Sequence, residues 1–113
     1  MLVVIRFRVS DADAPTFVER AHEALSVLAG RPGYVRGRLT RAYDDPHLWC
    51  LASEWESVGA YRRALSAEVR MRLMPLLAGA LDEPSAFEVL AEAERGGSVT
   101  MTATDLGSLR SRP

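Results

Sequence analysis

The chain has 113 residues, 48% apolar and 26% charged, with a formal net charge of -1. That length fits one domain with one real core, and the charge balance gives no reason to expect nucleic acid or an anionic membrane surface as a partner. A single cysteine, Cys50, excludes an internal disulfide and a multi-cysteine metal site.

All 14 basic residues are arginine, and lysine, asparagine and glutamine are absent, so no site in this chain can use a carboxamide side chain. The apolar start MLVVI is interrupted at once by Arg6 and Arg8. It is too short for a signal core or a membrane span, and the expected location is cytoplasmic.

The first predicted element is a strand over 2–9, with Val3, Ile5, Phe7 and Val9 on one face and Leu2, Val4, Arg6 and Arg8 on the other. A helix follows. Asp13 is expected to cap it, Pro15 sits in its first turn, and Phe17, Ala21, Ala24, Leu25 and Leu28 form its apolar stripe. Gly30 ends it and Pro32 prevents it from resuming. Residues 33–43 and 47–56 read as two strands joined by the turn Asp44-Asp45-Pro46. Ser57 caps a second helix, which Pro75 is expected to kink or end and Gly79 to close. A fourth strand is expected over 84–94.

The domain is expected to span 1–94. The remaining 95–113 is small and polar, a composition that suits either a disordered tail or one that packs on something, the second being the expectation. Within it, Ser98 to Thr104 alternates like a further strand, one suited to contact a partner subunit. The order strand, helix, strand, strand, helix, strand is the ferredoxin-like split βαβ arrangement, an α+β fold with a four-stranded antiparallel sheet and both helices on one face. The bare face calls for a second copy, so a homodimeric α/β-barrel is expected.

Both tryptophans, Trp49 and Trp55, lie in one strand at an even spacing and share a face. Each is either core filling or the wall of a pocket. The position of Trp55 just before the Ser57 cap suits a pocket better. Arg6 and Arg8 share a face and need partners if that face is interior. Glu54 and Glu88 are the candidates for a purely structural network. The functional alternative has Arg6 or Arg8 hold a phenolate or carboxylate. His22 is either a surface histidine or a general base, and His47 is expected to be exposed. Tyr34, Tyr43 and Tyr61 can each serve as packing, and Tyr61 opens the helix that would roof the pocket. No metal-ligand spacing, phosphate loop or nucleophile motif occurs.

Residues 31–69 resemble the antibiotic biosynthesis monooxygenase family of dimeric α/β-barrels. The resemblance is carried by Pro32-Gly33-Tyr34 before a strand, Asp45-Pro46 in the hairpin turn, Trp55-Glu56-Ser57, Tyr61 and Ser66. It implies a ligand bound between helices and sheet, and oxidation of an electron-rich aromatic, polyketide-like phenol by O₂ without metal, flavin or other cofactor. Trp55 matches the family's tryptophan. The family's asparagine has no counterpart, and Arg6 or its neighbour Ile5 occupies roughly that place. The helix histidine of haem-degrading relatives is absent from 57–78. The expected catalytic set is therefore Trp55, Arg6, Tyr61 and His22, with Arg8, Trp49, Tyr34 and Glu54 binding the substrate. The alternative is a non-catalytic dimer that binds a small ligand or is structural.

Overall fold

A computed structural model describes residues 1–104. In chain order its elements are β1 (Leu2–Arg8), α1 (Ala14–Ala29), β2 (Tyr34–Arg41), β3 (Leu48–Trp55), α2 (Val58–Ala64), α3 (Ala67–Leu77), β4 (Ala86–Phe87), β5 (Ala91–Glu92) and β6 (Thr100–Met101). The main sheet has the order β2-β3-β1-β4 and is antiparallel throughout. This is the expected ferredoxin-like α+β arrangement.

The alternation read in β1 sets the layers. Val3 and Phe7 are each 1% exposed and point into the helical layer, where α1 contributes Phe17, Ala21, Ala24 and Leu28. Burial of each large apolar side chain contributes roughly 1.5–3 kcal/mol. The small residues Ala21 and Ala24 let α1 approach the sheet closely. The β1–β3 register pairs Val3 with Ser53, Ile5 with Leu51 and Phe7 with Trp49, so the inward residues of both strands stand side by side.

Three local expectations are corrected. Asp13 occupies the cap position of α1, but its side chain accepts no capping hydrogen bond. Its own N–H is held instead by Ser10, through the carbonyl at 3.1 Å and Oγ at 3.3 Å. The second helix is two helices. Ser66 Oγ accepts from Val69 N–H at 3.3 Å and caps the start of α3, with Leu65 alone between it and the end of α2 at Ala64. Pro75, expected to kink or end that helix, lies within α3, which runs on to Leu77. Near a C-terminus a missing N–H removes one bond from the last turn and leaves the helix otherwise intact.

The fourth strand is also shorter than 84–94. Only Ala86–Phe87 pairs with β1, and the next stretch leaves the sheet. Ala91 and Glu92 pair with Met101 and Thr100 to make a separate two-stranded ribbon. The alternating run after Ser98 thus supplies β6. The last nine residues of the expected tail, 105–113, lie outside the described residues.

Candidate active site

Trp55 ends β3, facing α2, and is 2% exposed. Its backbone is clamped by the first residue: Trp55 N–H donates to Met1 O at 2.9 Å, and the Met1 amino group donates to Trp55 O at 3.0 Å. Its indole Nε1–H donates to Ser53 Oγ at 2.9 Å. Ser53 is two residues earlier on the same face, the placement that strand geometry gives to i and i+2. This partner was missed in the sequence, although the i, i+2 relation was there to read.

Tyr34 and Tyr61 complete the surround. The Tyr34 ring meets Trp55 edge-on with centroids 5.4 Å apart, and the Tyr61 ring is tilted against it at the same distance. Such pairs contribute about 0.5–1.5 kcal/mol beyond their buried area. The Pro-Gly-Tyr segment makes this possible. Gly33 has φ +85°, and a Cβ there would lie 2.4 Å from Ala60 Cβ, so the absent side chain lets the loop press on α2. Gly33 O also accepts from Glu56 N–H at 2.8 Å. Gly37 plays a second role: a Cβ there would lie 2.5 Å from the Tyr34 hydroxyl, which lies over this strand position.

Beside this cluster, between helices and sheet, is a cavity of about 20 Å³. Its walls are aliphatic side chains, among them Ile5, Leu51, Leu65, Leu73 and Leu76, with Ser53 and Tyr61 among them. That volume holds one water-sized molecule. Burial pushes the Tyr61 phenol above its usual pKa of 10.0, opposed by the positive charge of Arg70. Tyr61 is therefore a proton holder and hydrogen-bond donor at neutral pH, not a base. Because unfolding releases the phenol to water, the unfolded chain loses this proton first as pH rises. Stability must then fall with pH above about 10. We expect Tyr61→Phe to flatten that alkaline loss in urea melts collected between pH 8 and pH 11. An unchanged slope would show that Tyr61 ionises as freely in the fold as in water.

Arg6 and Arg8 do not join Trp55. Both project from the opposite face of β1, away from the helices, as their pairing opposite Cys50 and Leu48 requires. The place on the cavity wall belongs to Ile5. Nor are their partners Glu54 and Glu88. Arg6 makes a two-point bond to Glu83, 2.8 Å for each contact, and Arg8 Nη1 donates to Asp45 at 3.0 Å. Arg6 holds the Glu83 carboxyl below its usual range. Asp45 is lowered likewise, first by Arg8 and then by the His47 N–H. An open sheet face offers arginines solvent, so loop carboxylates at its rim can pair with them without the cost of burial. Glu54 shares that open face with Arg36 and Arg38, around a hollow of about 230 Å³. Glu88 instead meets Thr104.

The remaining expected residues are dispersed. His22 is exposed on α1. His47 is exposed, with its ring 3.2 Å from Asp11. Trp49 shares the face of Trp55 but sits at the far end of β3, against Phe17 at 5.4 Å and beneath Arg41 at 4.9 Å. The structure thus brings together Trp55, Tyr61 and Tyr34, and separates them from Arg6, Arg8, His22, Trp49 and Glu54. Among the described residues no group of three or more His, Cys, Asp or Glu side chains could hold a metal ion. No helix among them is long and apolar enough to cross a membrane.

A family model described as antibiotic biosynthesis monooxygenase matches residues 1–70, more than half of the chain. The chain belongs to the antibiotic biosynthesis monooxygenase family. Solved structures of similar shape include SnoaB from Streptomyces nogalater, described as a cofactor-independent oxygenase. It is 27% identical, over 80% of this chain and 96% of that one, with a TM-score of 0.62. A conserved protein from Methanosarcina mazei Go1 is 16% identical, over 75% and 84% of the two chains, with a TM-score of 0.63. A conserved protein of unknown function from Bacteroides thetaiotaomicron is 11% identical, over 71% and 86%, with a TM-score of 0.62. These last two share the fold alone. A search of curated proteins found no match. Within this antibiotic biosynthesis monooxygenase domain, residues 1–70 carry Trp55, Ser53, Tyr61 and Tyr34, so the matched region contains the whole aromatic cluster.

Proposed function

We propose that the chain is a cofactor-independent monooxygenase that oxidises a small aromatic, polyketide-like phenol with O₂, in the space between β3 and the α2–α3 roof. The single observation that carries this reading is the cluster of Trp55, Ser53 and Tyr61 at the edge of an interior apolar cavity. Family membership and the likeness to SnoaB support it. In this reading the ionised phenol supplies the electrons. A ring CH₂ loses a proton to solvent, and its carbanion reduces O₂ and forms the C–O bond. Loss of water from the hydroperoxide then leaves a C=O group. The Tyr61 O–H donates a hydrogen bond to the substrate oxyanion, and the low-dielectric walls strengthen that bond. Trp55 bounds the ring. A cavity of 20 Å³ does not admit an aromatic ring, so the roof must open for it.

The second reading is a non-catalytic dimer that binds a small ligand. It is favoured by the same small volume and by the neutralisation of Arg6 and Arg8. Both readings place the protein in the cytoplasm as a homodimer, with Leu2 and Phe87, 39% and 47% exposed on or beside the open face, covered by a second copy. Oxygen consumption with a panel of polycyclic phenols separates them. The oxygenase reading expects uptake that falls at least about tenfold in Tyr61→Phe, the loss of one oxyanion donor costing roughly 10²–10³ in other enzymes. No uptake by the wild type leaves the second reading.

A further inference from the structure

A separate cleft of about 340 Å³ opens where the end of β1, the first turns of α1 and the end of α3 meet. That size is at the lower end of the roughly 300–1,000 Å³ common for small-molecule sites. Its floor is apolar and partly aromatic: Phe7 and Phe17 meet edge-on at 5.0 Å, and Val9 and Pro75 extend the surface. Arg8 borders it from the end of β1, its side chain turned away to Asp45, and three further polar residues line it: Arg20, Asp13 and Thr16.

Arg20 is the informative one. It projects from α1 and reaches Pro75 O on α3 with Nη1 at 3.5 Å, the outer limit of a hydrogen bond. Among the described residues it makes no ion pair, whereas Arg6, Arg8 and Arg72 each hold a carboxylate. A guanidinium fork held across a cleft by one weak contact retains donors for a planar carboxylate. Asp13 stands at the cap position of α1 without using its carboxylate to cap it, and so offers an acceptor to a hydroxyl.

We propose that this cleft recognises a hydroxylated aromatic carboxylate, with the rings on Phe7 and Phe17, the carboxylate on Arg20 and the hydroxyl on Asp13. Leu76 lines both this cleft and the interior cavity beside Tyr61. The identity of this ligand as substrate rests on the oxygenase reading above; its binding does not.

The test is calorimetric titration of the full chain with 1-hydroxy-2-naphthoate and with 1-naphthol, which lacks the carboxylate. The location is read from amide shifts at Thr16, Phe17 and Gly79. We expect saturable binding of the naphthoate at those amides. Arg20→Gln should weaken it at least about tenfold and change 1-naphthol binding by less than about twofold, as expected for a lost charged hydrogen bond. No saturable binding by the wild type overturns the proposal. So does an Arg20→Gln affinity equal to that of the wild type, or shifts confined to other residues. Oxygen uptake is measured on the same samples. Binding that depends on Arg20 without uptake removes the oxygenase reading and upholds the cleft, and uptake without such binding does the reverse.

Discussion

Trp55→Ala is expected to lower stability by about 3–5 kcal/mol, the range for truncating a fully buried large aromatic side chain. Three losses combine. The indole leaves a void under α2, Tyr34 and Tyr61 lose the ring between them, and Ser53 Oγ, 4% exposed as a residue, loses its donor. Trp49→Ala is the internal comparison. Trp49 is half-buried, and among the described residues its buried indole N–H has no hydrogen-bond partner. Its removal deletes less buried surface and relieves an unsatisfied donor, so it should cost clearly less. Urea unfolding of the two variants checks the order. Equal losses, or a larger loss for Trp49→Ala, would mean that the cluster around Trp55 does not anchor the roof.

Gly33→Ala should be the most damaging of the glycine substitutions. At φ +85° an L side chain costs about 1–2 kcal/mol. The new methyl would also stand 2.4 Å from Ala60 Cβ, and overpacking of this kind costs roughly 1–3 kcal/mol more. Gly96→Ala isolates the first effect, because Gly96 has φ +75° and none of the described residues comes within 4 Å of the added methyl. We therefore expect Gly33→Ala to exceed Gly96→Ala by the packing cost alone. The pairing Gly33→Ala with Ala60→Gly should recover part of that difference, since it removes the methyl that is struck. If the two single variants unfold at the same urea concentration, the contact between the Pro-Gly-Tyr loop and α2 carries no energy.

Much of the fold was legible because local signals and the global pattern agree. Pro15 and Gly30 bracket α1, Ser57 Oγ accepts from Ala60 N–H, and alternation in β1 separates Val3 and Phe7 from Arg6 and Arg8. The two tryptophans share a face as their spacing required. What was not legible depends on contacts far apart in sequence. Alternation shows that Arg6 and Arg8 lie together, but not which side the helices cover. Their partners, Glu83 and Asp45, come from loops that only the folded sheet brings alongside. The break at Ser66 was hidden because Tyr61, Leu65, Val69, Leu73 and Leu76 keep one apolar rhythm straight through it. The signal was a serine three residues before an apolar position, the same form as Ser57. For the site, the motif contains Trp55, Tyr61 and Tyr34, which the fold brings together. It did not disclose Ser53, nor the cleft at Arg20.

The interruption between α2 and α3 also sets a hierarchy of stabilities. A helix of seven residues is too short to hold itself together and depends on what it packs against. The Ala67 and Glu68 amides start a new helix, where no preceding turn offers them carbonyls. Opening of this pair is therefore expected to require less free energy than unfolding the whole domain, although it uncovers Val69, Leu73 and Leu76 and with them the wall of the interior cavity. Hydrogen exchange should resolve the molecule into a slow layer of β1, β3 and α1 and a faster α2–α3 unit. If exchange shows that order, removal of the Ser66 cap in Ser66→Ala should speed exchange in α3 ahead of the sheet.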